Sequence, residues 1–373
     1  MTAAQGKRTR FSEIDVLKGI GILLMVGSHG GAPFGGFVSL FHMAAFFMAS
    51  GFCYREKCAE TVVAVKNNII RKIRSLWVPF FCWNAVFVLL RNVLIRINIY
   101  TDNPAIEQYG GHVTEAYSLL DMLKRIAAGA LFSYKEEIIG AMWFLKILFL
   151  LTITFCVFDF IIKKLTKGNR KYRLLVHSFI SVLFLAFGYW GSVHHIELYG
   201  LSYIGSYYIL YFLGYLFSLA RERYRRWPWF VWIFIALASY GALKWLQPRG
   251  GIGINRNSYT SPLFLLAASV SGWWLLYSIS TLIERLSYLK TGFAFIGQHG
   301  MPVVIFHFLA FKPVALIVIA LNSLPSFCLA VFSSLKGGDG WWIAYMIAGT
   351  MIPILVSLTL NKLLRKLPVV RDH

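Results

Sequence analysis

Apolar residues run through this chain in blocks, and the blocks are too long and too continuous for the core of a globular domain. Ten of them, near residues 14–31, 36–54, 75–99, 139–162, 174–193, 202–220, 229–246, 260–283, 293–321 and 341–361, reach about 20 residues, the length a helix needs to cross a hydrocarbon layer. The pattern predicts an all-α fold: a polytopic transmembrane helical bundle of about ten spans. No hydrophilic block is long enough to build a separate soluble core, so residues 1–373 read as one integral-membrane domain.

The polar segments between the blocks alternate in charge. With a cytoplasmic N-terminus, the inner segments hold Lys7, Arg8 and Arg10, the stretches Arg55 through Arg74 and Lys163 through Arg173, and Arg221, Arg223, Arg225 and Arg226. Arg285, Lys290, Lys362, Arg365, Lys366 and Arg371 complete that side, which carries 25 basic residues. The outer segments carry six: Lys124, Arg125, Lys135, Arg249, Arg256 and Lys336. This is the positive-inside asymmetry, and an even number of spans places both termini in the cytoplasm.

Composition agrees. The chain is 58% hydrophobic and only 14% charged, where soluble domains carry about 25% charged residues. The net charge of +21 follows from topology and implies no nucleic-acid partner. The basic start before the first apolar block is followed by no small-residue cleavage pattern, so that block reads as a retained helix rather than a signal peptide. The cysteines at 53, 58, 82, 156 and 328 show neither CxxC spacing nor a paired framework and read as reduced packing residues.

The longest outer connection, from about Tyr100 to Ile138, places Tyr117, Leu120, Leu123 and Ile126 at helical spacing, which predicts a helix lying in the interface. It also carries the adjacent acids Glu136 and Glu137.

Candidate chemistry lies in the polar intrusions. In "IDVLKGIGILLMVGSHGG", Lys18 and His29 are offset by only ~20° around a helix and ~16 Å along it. Ionisable groups inside a span face a cavity far more often than lipid, so one wall of a site carries both. Asp15 has two readings, a site residue or the last member of a Ser12-x-x-Asp15 helix cap. His42 is either a second site residue or an interhelical hydrogen-bonder among small residues. Arg71 and Arg74, three apart, are either topological charge or a clamp for phosphates. Trp143 is an interfacial aromatic or a site donor. In the ninth block Pro302 interrupts a segment holding His299 and His307; such a break is tolerated where protein or a water-filled cavity satisfies the freed backbone. No His/Cys/Asp/Glu cluster has metal-ligand spacing, so no metal is expected.

In order and spacing these features resemble acyltransferase family 3, the integral-membrane acyltransferases, and within it the branch similar to fucose 4-O-acetylase. The resemblance rests on Asp15-x-x-Lys18 with ten residues before His29, "FHMAAFFMASGF", Arg71-x-x-Arg74 followed by Pro79, "WFL" at 143–145, and "IGQHGMPVVIFH" ending at His307. The branch commonly shows "FHMPLFF"; Ala44 and Ala45 stand here in place of Pro-Leu.

The resemblance implies transfer of an acyl group, most simply acetyl, from cytosolic acetyl-CoA to a hydroxyl of a cell-envelope or exported glycan or its lipid-linked precursor. It places the chain in a bacterial inner membrane. His29 matches the family's essential histidine, Lys18 its basic partner and Arg71 and Arg74 its RxxR pair, which would hold the CoA phosphates. His42, Trp143, Glu136, Glu137 and His307 are then the candidates for contacting substrate, with His42, the Trp143 indole or an amide near Gly300 as oxyanion donor. The competing reading is a proton-coupled transporter or flippase of a glycan intermediate; such proteins often show two similar halves with matching interrupted helices, and only one interrupted segment is visible.

Overall fold

The computed structural model describes residues 11–196 and 198–364. Fifteen α-helices follow one another: α1 (Ser12–His29), α2 (Gly35–Ser39), α3 (His42–Phe52), α4 (Val62–Lys72), α5 (Val78–Arg96), α6 (Leu119–Ala130), α7 (Trp143–Leu165) and α8 (Arg170–Val193). They continue with α9 (Leu201–Tyr224), α10 (Trp229–Leu246), α11 (Pro262–Ile283), α12 (Ser287–Gln298), α13 (Gly300–Ala310), α14 (Lys312–Leu321) and α15 (Trp341–Leu364). The only described strands, β1 (Ile252–Gly253) and β2 (Ser258–Tyr259), pair as a small antiparallel hairpin. Local chemistry sets several starts: Thr61, Ser118, Asn169 and Ser261 accept backbone N–H bonds as caps of α4, α6, α8 and α11.

Among the described residues nine helical segments are long and apolar enough to cross a membrane, and they fall on nine of the ten expected blocks. The remaining block is α1, 18 residues long, which carries Glu13, Asp15 and Lys18 and is packed inside the bundle. The basic stretch before the third span, expected as a connecting segment, is largely helix: α4, a wide π-turn at Ile73–Trp77 and α5 form one continuous rod from Val62 to Arg96. The ninth block breaks as expected near Pro302, with α12 ending at Gln298 and α13 starting at Gly300. The terminal residues Lys7, Arg8, Arg10, Arg365, Lys366 and Arg371 of the charge pattern lie outside the described residues.

Glycines let backbones touch. A Cβ on Gly19 would lie 2.0 Å from the Phe293 carbonyl oxygen and one on Gly297 2.0 Å from that of Asp15, so α1 and α12 pack main chain against main chain. The same device joins α3 to α9, where Gly51 abuts Tyr211 and Gly214 abuts Met48. A helix pair this close holds α1 rigidly along its length.

Several interior charges are paired, and the buried Lys312 ammonium donates to the Leu329 and Val331 carbonyls instead. Glu13 on α1 accepts from Arg221 on α9. Asp159 on α7 meets His177 at 3.2 Å and accepts from Tyr54 at 2.8 Å, while Arg173 of α8 reaches Glu56 at 2.8 Å. These contacts stitch the helices together.

The Ser12-x-x-Asp15 cap does not form. The residue preceding α1 is Phe11, no side chain caps the helix, and the Ser12 hydroxyl donates to Glu284 instead. The same pattern at Ser118-x-x-Asp121 does make a reciprocal capping box at the start of α6. The difference is tertiary: Glu284 and Gln298 compete for the polar groups of α1, whereas the start of α6 is exposed. Helix α6 is the amphipathic helix expected in the long connection, with Leu119, Leu120 and Leu123 exposed on it. The five cysteines are free; Cys156 and Cys328 are buried, whereas Cys53 and Cys82 are exposed and so are not core packing residues.

Candidate active site

Helix α1 presents Lys18 to a cavity at one end of the bundle and His29 to another cavity toward the opposite end. At the Lys18 end the cavity has a volume of about 470 Å³. Four cations line it, Lys18, Arg55, Arg71 and Lys72, together with Asn68 and Ser75, and among the described residues no carboxylate does. Arg71 is held by donating to Asn68 Oδ1 and toward Cys58 Sγ at 3.4 Å. Arg74 is exposed and absent from the lining. Arg71 lies in the last turn of α4, whereas Arg74 falls within the π-turn that follows and stands outside the cavity wall. The expected Arg71/Arg74 pair is therefore split, and Lys72 and Arg55, which carried no motif, stand where Arg74 was expected.

At the His29 end lies a smaller cavity of about 190 Å³, lined by Met25, Ser28 and His29 of α1, Ser39, His42 and Met43, Ala141 and Trp143, and residues 252–255 of the hairpin. Two larger recesses meet it. One, about 880 Å³, shares Ser28 and His29 and is lined further by Gly30, Gly31, Pro33, Phe308, Tyr345 and the segment from Phe332 to Trp342. The other, about 370 Å³, shares Trp143 and Asn255. His29 is thus reachable from this end.

The two cavities lie along the same three helices. Lys18 and His29 mark them on α1, Ser50 and His42 on α3, Leu148 and Trp143 on α7. Between them stand Phe46 and Phe144, ring centroids 5.8 Å apart. The Phe46 ring rests on Gly21, where a Cβ would come within 3.0 Å of its Cζ. Both rings line the Lys18 cavity, on the stretches of α3 and α7 that lead toward His42 and Trp143.

His29 does not stand alone. Its Nδ1 lies 2.9 Å from Nε2 of His307 on α13. With centroids 5.1 Å apart and planes within 18°, so short a nitrogen separation means that the rings meet edge to edge. His307 is fully buried and its Nδ1 is 2.8 Å from the Val303 carbonyl oxygen. A carbonyl only accepts, so this nitrogen donates; with neutral rings, His307 Nε2 must then accept and His29 Nδ1 must donate. That assignment, made from hydrogen-bond partners, leaves a lone pair on His29 Nε2. Phe308 stacks on the His29 ring at 5.0 Å and 21°, fixing its plane. The sequence placed both histidines in candidate segments, but not beside each other.

His42 follows the same logic: its Nδ1 donates to the Val38 carbonyl at 2.8 Å, so a neutral ring offers an acceptor at Nε2 and not the donor an oxyanion needs. Trp143 and Asn255, by contrast, are residues of the cavity wall whose side chains carry N–H donors. Asn255 carried no motif; its loop showed only Gly- and Asn-rich composition. Gly300 opens α13 and is absent from the lining.

The remaining candidates are engaged elsewhere. Asp15, 8% exposed, accepts from Gln298 at 3.0 Å between α1 and α12 and lines neither cavity. Glu136 is wholly buried and takes Arg91 on both oxygens, at 3.2 and 3.0 Å, with the hydroxyls of Tyr100 at 3.0 Å and Tyr134 at 2.9 Å. Glu137 pairs with His112 at 2.8 Å. His299 donates Nδ1 to Phe295 at the break between α12 and α13. Among the described residues no group of three or more His, Cys, Asp or Glu could hold a metal ion.

A histidine with an oriented lone pair and a cation-lined cavity along the same helix suit proton transfer beside a bound anion. Comparison with curated proteins and with solved structures gives no significant match. A protein-family model does match, over residues 11–362, and it is that of the Acyltransferase domain. The match covers nearly the whole chain and takes in both cavities, so the chain belongs to this acyltransferase 3 family and is a multi-pass membrane acyltransferase.

Proposed function

We propose that this protein is an acyl-CoA-dependent O-acyltransferase, with acetyl-CoA the simplest donor, acting on a hydroxyl of a cell-envelope or exported glycan or its lipid-linked precursor. In this reading it sits in a bacterial inner membrane with the Lys18 end in the cytosol, as the charge asymmetry favours. The observation that carries the reading is the pairing of His29 with His307 on one cavity while Lys18, Arg71 and Lys72 line another, along the same helix.

The CoA phosphates bind the cations at the cytosolic mouth, where no carboxylate competes. The pantetheine arm runs along α1, past Phe46 and Phe144, and delivers the thioester to His29. His29 Nε2 takes the proton of the acceptor hydroxyl as its oxygen attacks the thioester carbonyl. A C–O bond forms, the C–S bond breaks, and the proton passes from His29 to the departing thiolate to give free CoA. While His29 is protonated, its Nδ1–H bond to His307 Nε2 disperses the charge. In this reading Trp143 Nε1 and the Asn255 amide, on residues that line the cavity, receive the developing oxyanion.

The test is acetyl-CoA consumption by the purified protein in nanodiscs with candidate glycans. Wild type should release free CoA and acetylate the glycan, and His29→Ala should do neither while still binding acetyl-CoA. Absence of acetyl-CoA binding by wild type would exclude the reading.

A further inference from the structure

Beside the His29 cavity runs the groove of about 370 Å³ that the chemistry above leaves unused. Lys135, from the segment between α6 and α7, and Lys146, from the first turns of α7, both line it; among the described residues no carboxylate does. Neither ammonium is ion-paired among the described residues. Lys146 is half-buried, its Nζ 5.7 Å from the centre of the Tyr199 ring. Lys135 is exposed.

The acids nearest in sequence are already engaged, Glu136 with Arg91 and two tyrosines, Glu137 with His112. A neutral sugar is held chiefly by groups that accept from its hydroxyls, carboxylates above all. Among its described residues this groove offers no carboxylate but two ammonium groups beside the Ser133 and Tyr199 hydroxyls, where Ser133 donates to Tyr199 at 3.0 Å. Cations unpaired in a walled groove concentrate an anion. The groove leads to the chemistry, because Trp143 and Asn255 line both it and the His29 cavity.

We propose that this groove receives an anionic group, a carboxylate or a phosphate, carried by the acceptor molecule, and thereby selects which hydroxyl reaches His29. The word acceptor rests on the acyl-transfer reading; the anion preference does not.

The experiment uses the full chain in nanodiscs of zwitterionic lipid and three probes: a uronic-acid disaccharide, its neutral methyl ester, and a sugar phosphate on a short polyprenyl chain. Binding is measured first without acetyl-CoA, then transfer with it. At least one anionic probe should bind roughly tenfold tighter than the ester, as a charge-assisted contact implies. Lys135→Gln and Lys146→Gln should each remove most of that margin, raising KM with kcat little changed and acetyl-CoA affinity intact. Preference for the uronate points to a charged polymer, preference for the phosphate to a lipid-linked precursor; either supports the proposal. Equal binding of all three probes overturns it, as does a preference that survives in the double variant. Displacement of the bound probe by phosphatidylglycerol also overturns it, since the groove is then a lipid headgroup site. If wild type consumes no acetyl-CoA with any probe, the acyl-transfer reading falls while the binding arm still decides the groove.

Discussion

His29 Nδ1 and His307 Nε2 lie 2.9 Å apart although the two residues are 278 positions apart in the chain. His307 is anchored in turn by the Val303 carbonyl, so one backbone oxygen sets the tautomer of both rings. A His307→Phe variant keeps an aromatic ring and removes the acceptor. We expect kcat to fall, by less than the roughly 10²–10⁴-fold a general base contributes, with acetyl-CoA affinity unchanged. Wild-type kcat in this variant would mean that His29 needs no orienting partner.

The cationic cavity makes a distinction the RxxR pattern does not. Arg71→Ala and Lys72→Ala should each weaken acetyl-CoA binding by about tenfold, the size of one charge-assisted contact. Arg74→Ala should leave it nearly unchanged, because that side chain is outside the lining. Wild-type affinity should also decline as salt rises. Equal losses at 71 and 74, read by titration calorimetry, would refute the split of the pair.

Gly21 supports the Phe46 ring, which lines the Lys18 cavity. In Gly21→Val the added carbons push that ring toward Phe144 and narrow the path proposed for the pantetheine arm. Donor binding at the Lys18 cavity should persist while turnover drops. Parallel loss of both would place the effect on folding, and unchanged turnover would show that the donor takes another path.

Glu136 separates a structural role from a sugar-binding one. Glu136→Ala leaves the Arg91 guanidinium buried without its partner, a change that costs about 3–5 kcal/mol. The expected outcome is a large fall in the thermal unfolding temperature. A variant with wild-type stability and weakened acceptor binding would instead restore the substrate role.

Glu56 lies between the spans, where pH reaches it. Burial pushes its carboxyl up, but hydrogen bonds from Arg173 and Tyr215 outweigh that and hold it below the ordinary value of 4.5. A carboxyl lowered on folding stabilises the protein fully above the unfolded pKa, and that contribution is lost as pH falls through the folded one. Unfolding temperature should therefore hold near pH 6 and fall below about pH 4.5. Glu56→Gln should lower it near pH 6 and flatten the acid side. An unchanged acid slope would assign the fall to other carboxylates.

Hydropathy by itself determined the membrane class and nearly every span, because a hydrocarbon solvent penalises polar backbone and side chains strongly enough to write the crossings into single-residue choice. It also determined the face of α1 that carries Lys18 and His29, since helical spacing is local geometry. Contacts between distant segments are not local, and these only the tertiary structure decided. The pattern Ser-x-x-Asp is written identically at 12–15 and 118–121, yet only the second is a cap, because Glu284 and Gln298 claim the polar groups of α1. Arg71 and Arg74 look like a pair, yet only Arg71 lines the cationic cavity once the chain is folded. His307 becomes the partner of His29 only once α12 and α13 are laid along α1 by the close contacts at Gly19 and Gly297. Sequence supplied an imidazole inside a membrane helix; folding supplied the second imidazole that leaves its lone pair free to act as a base.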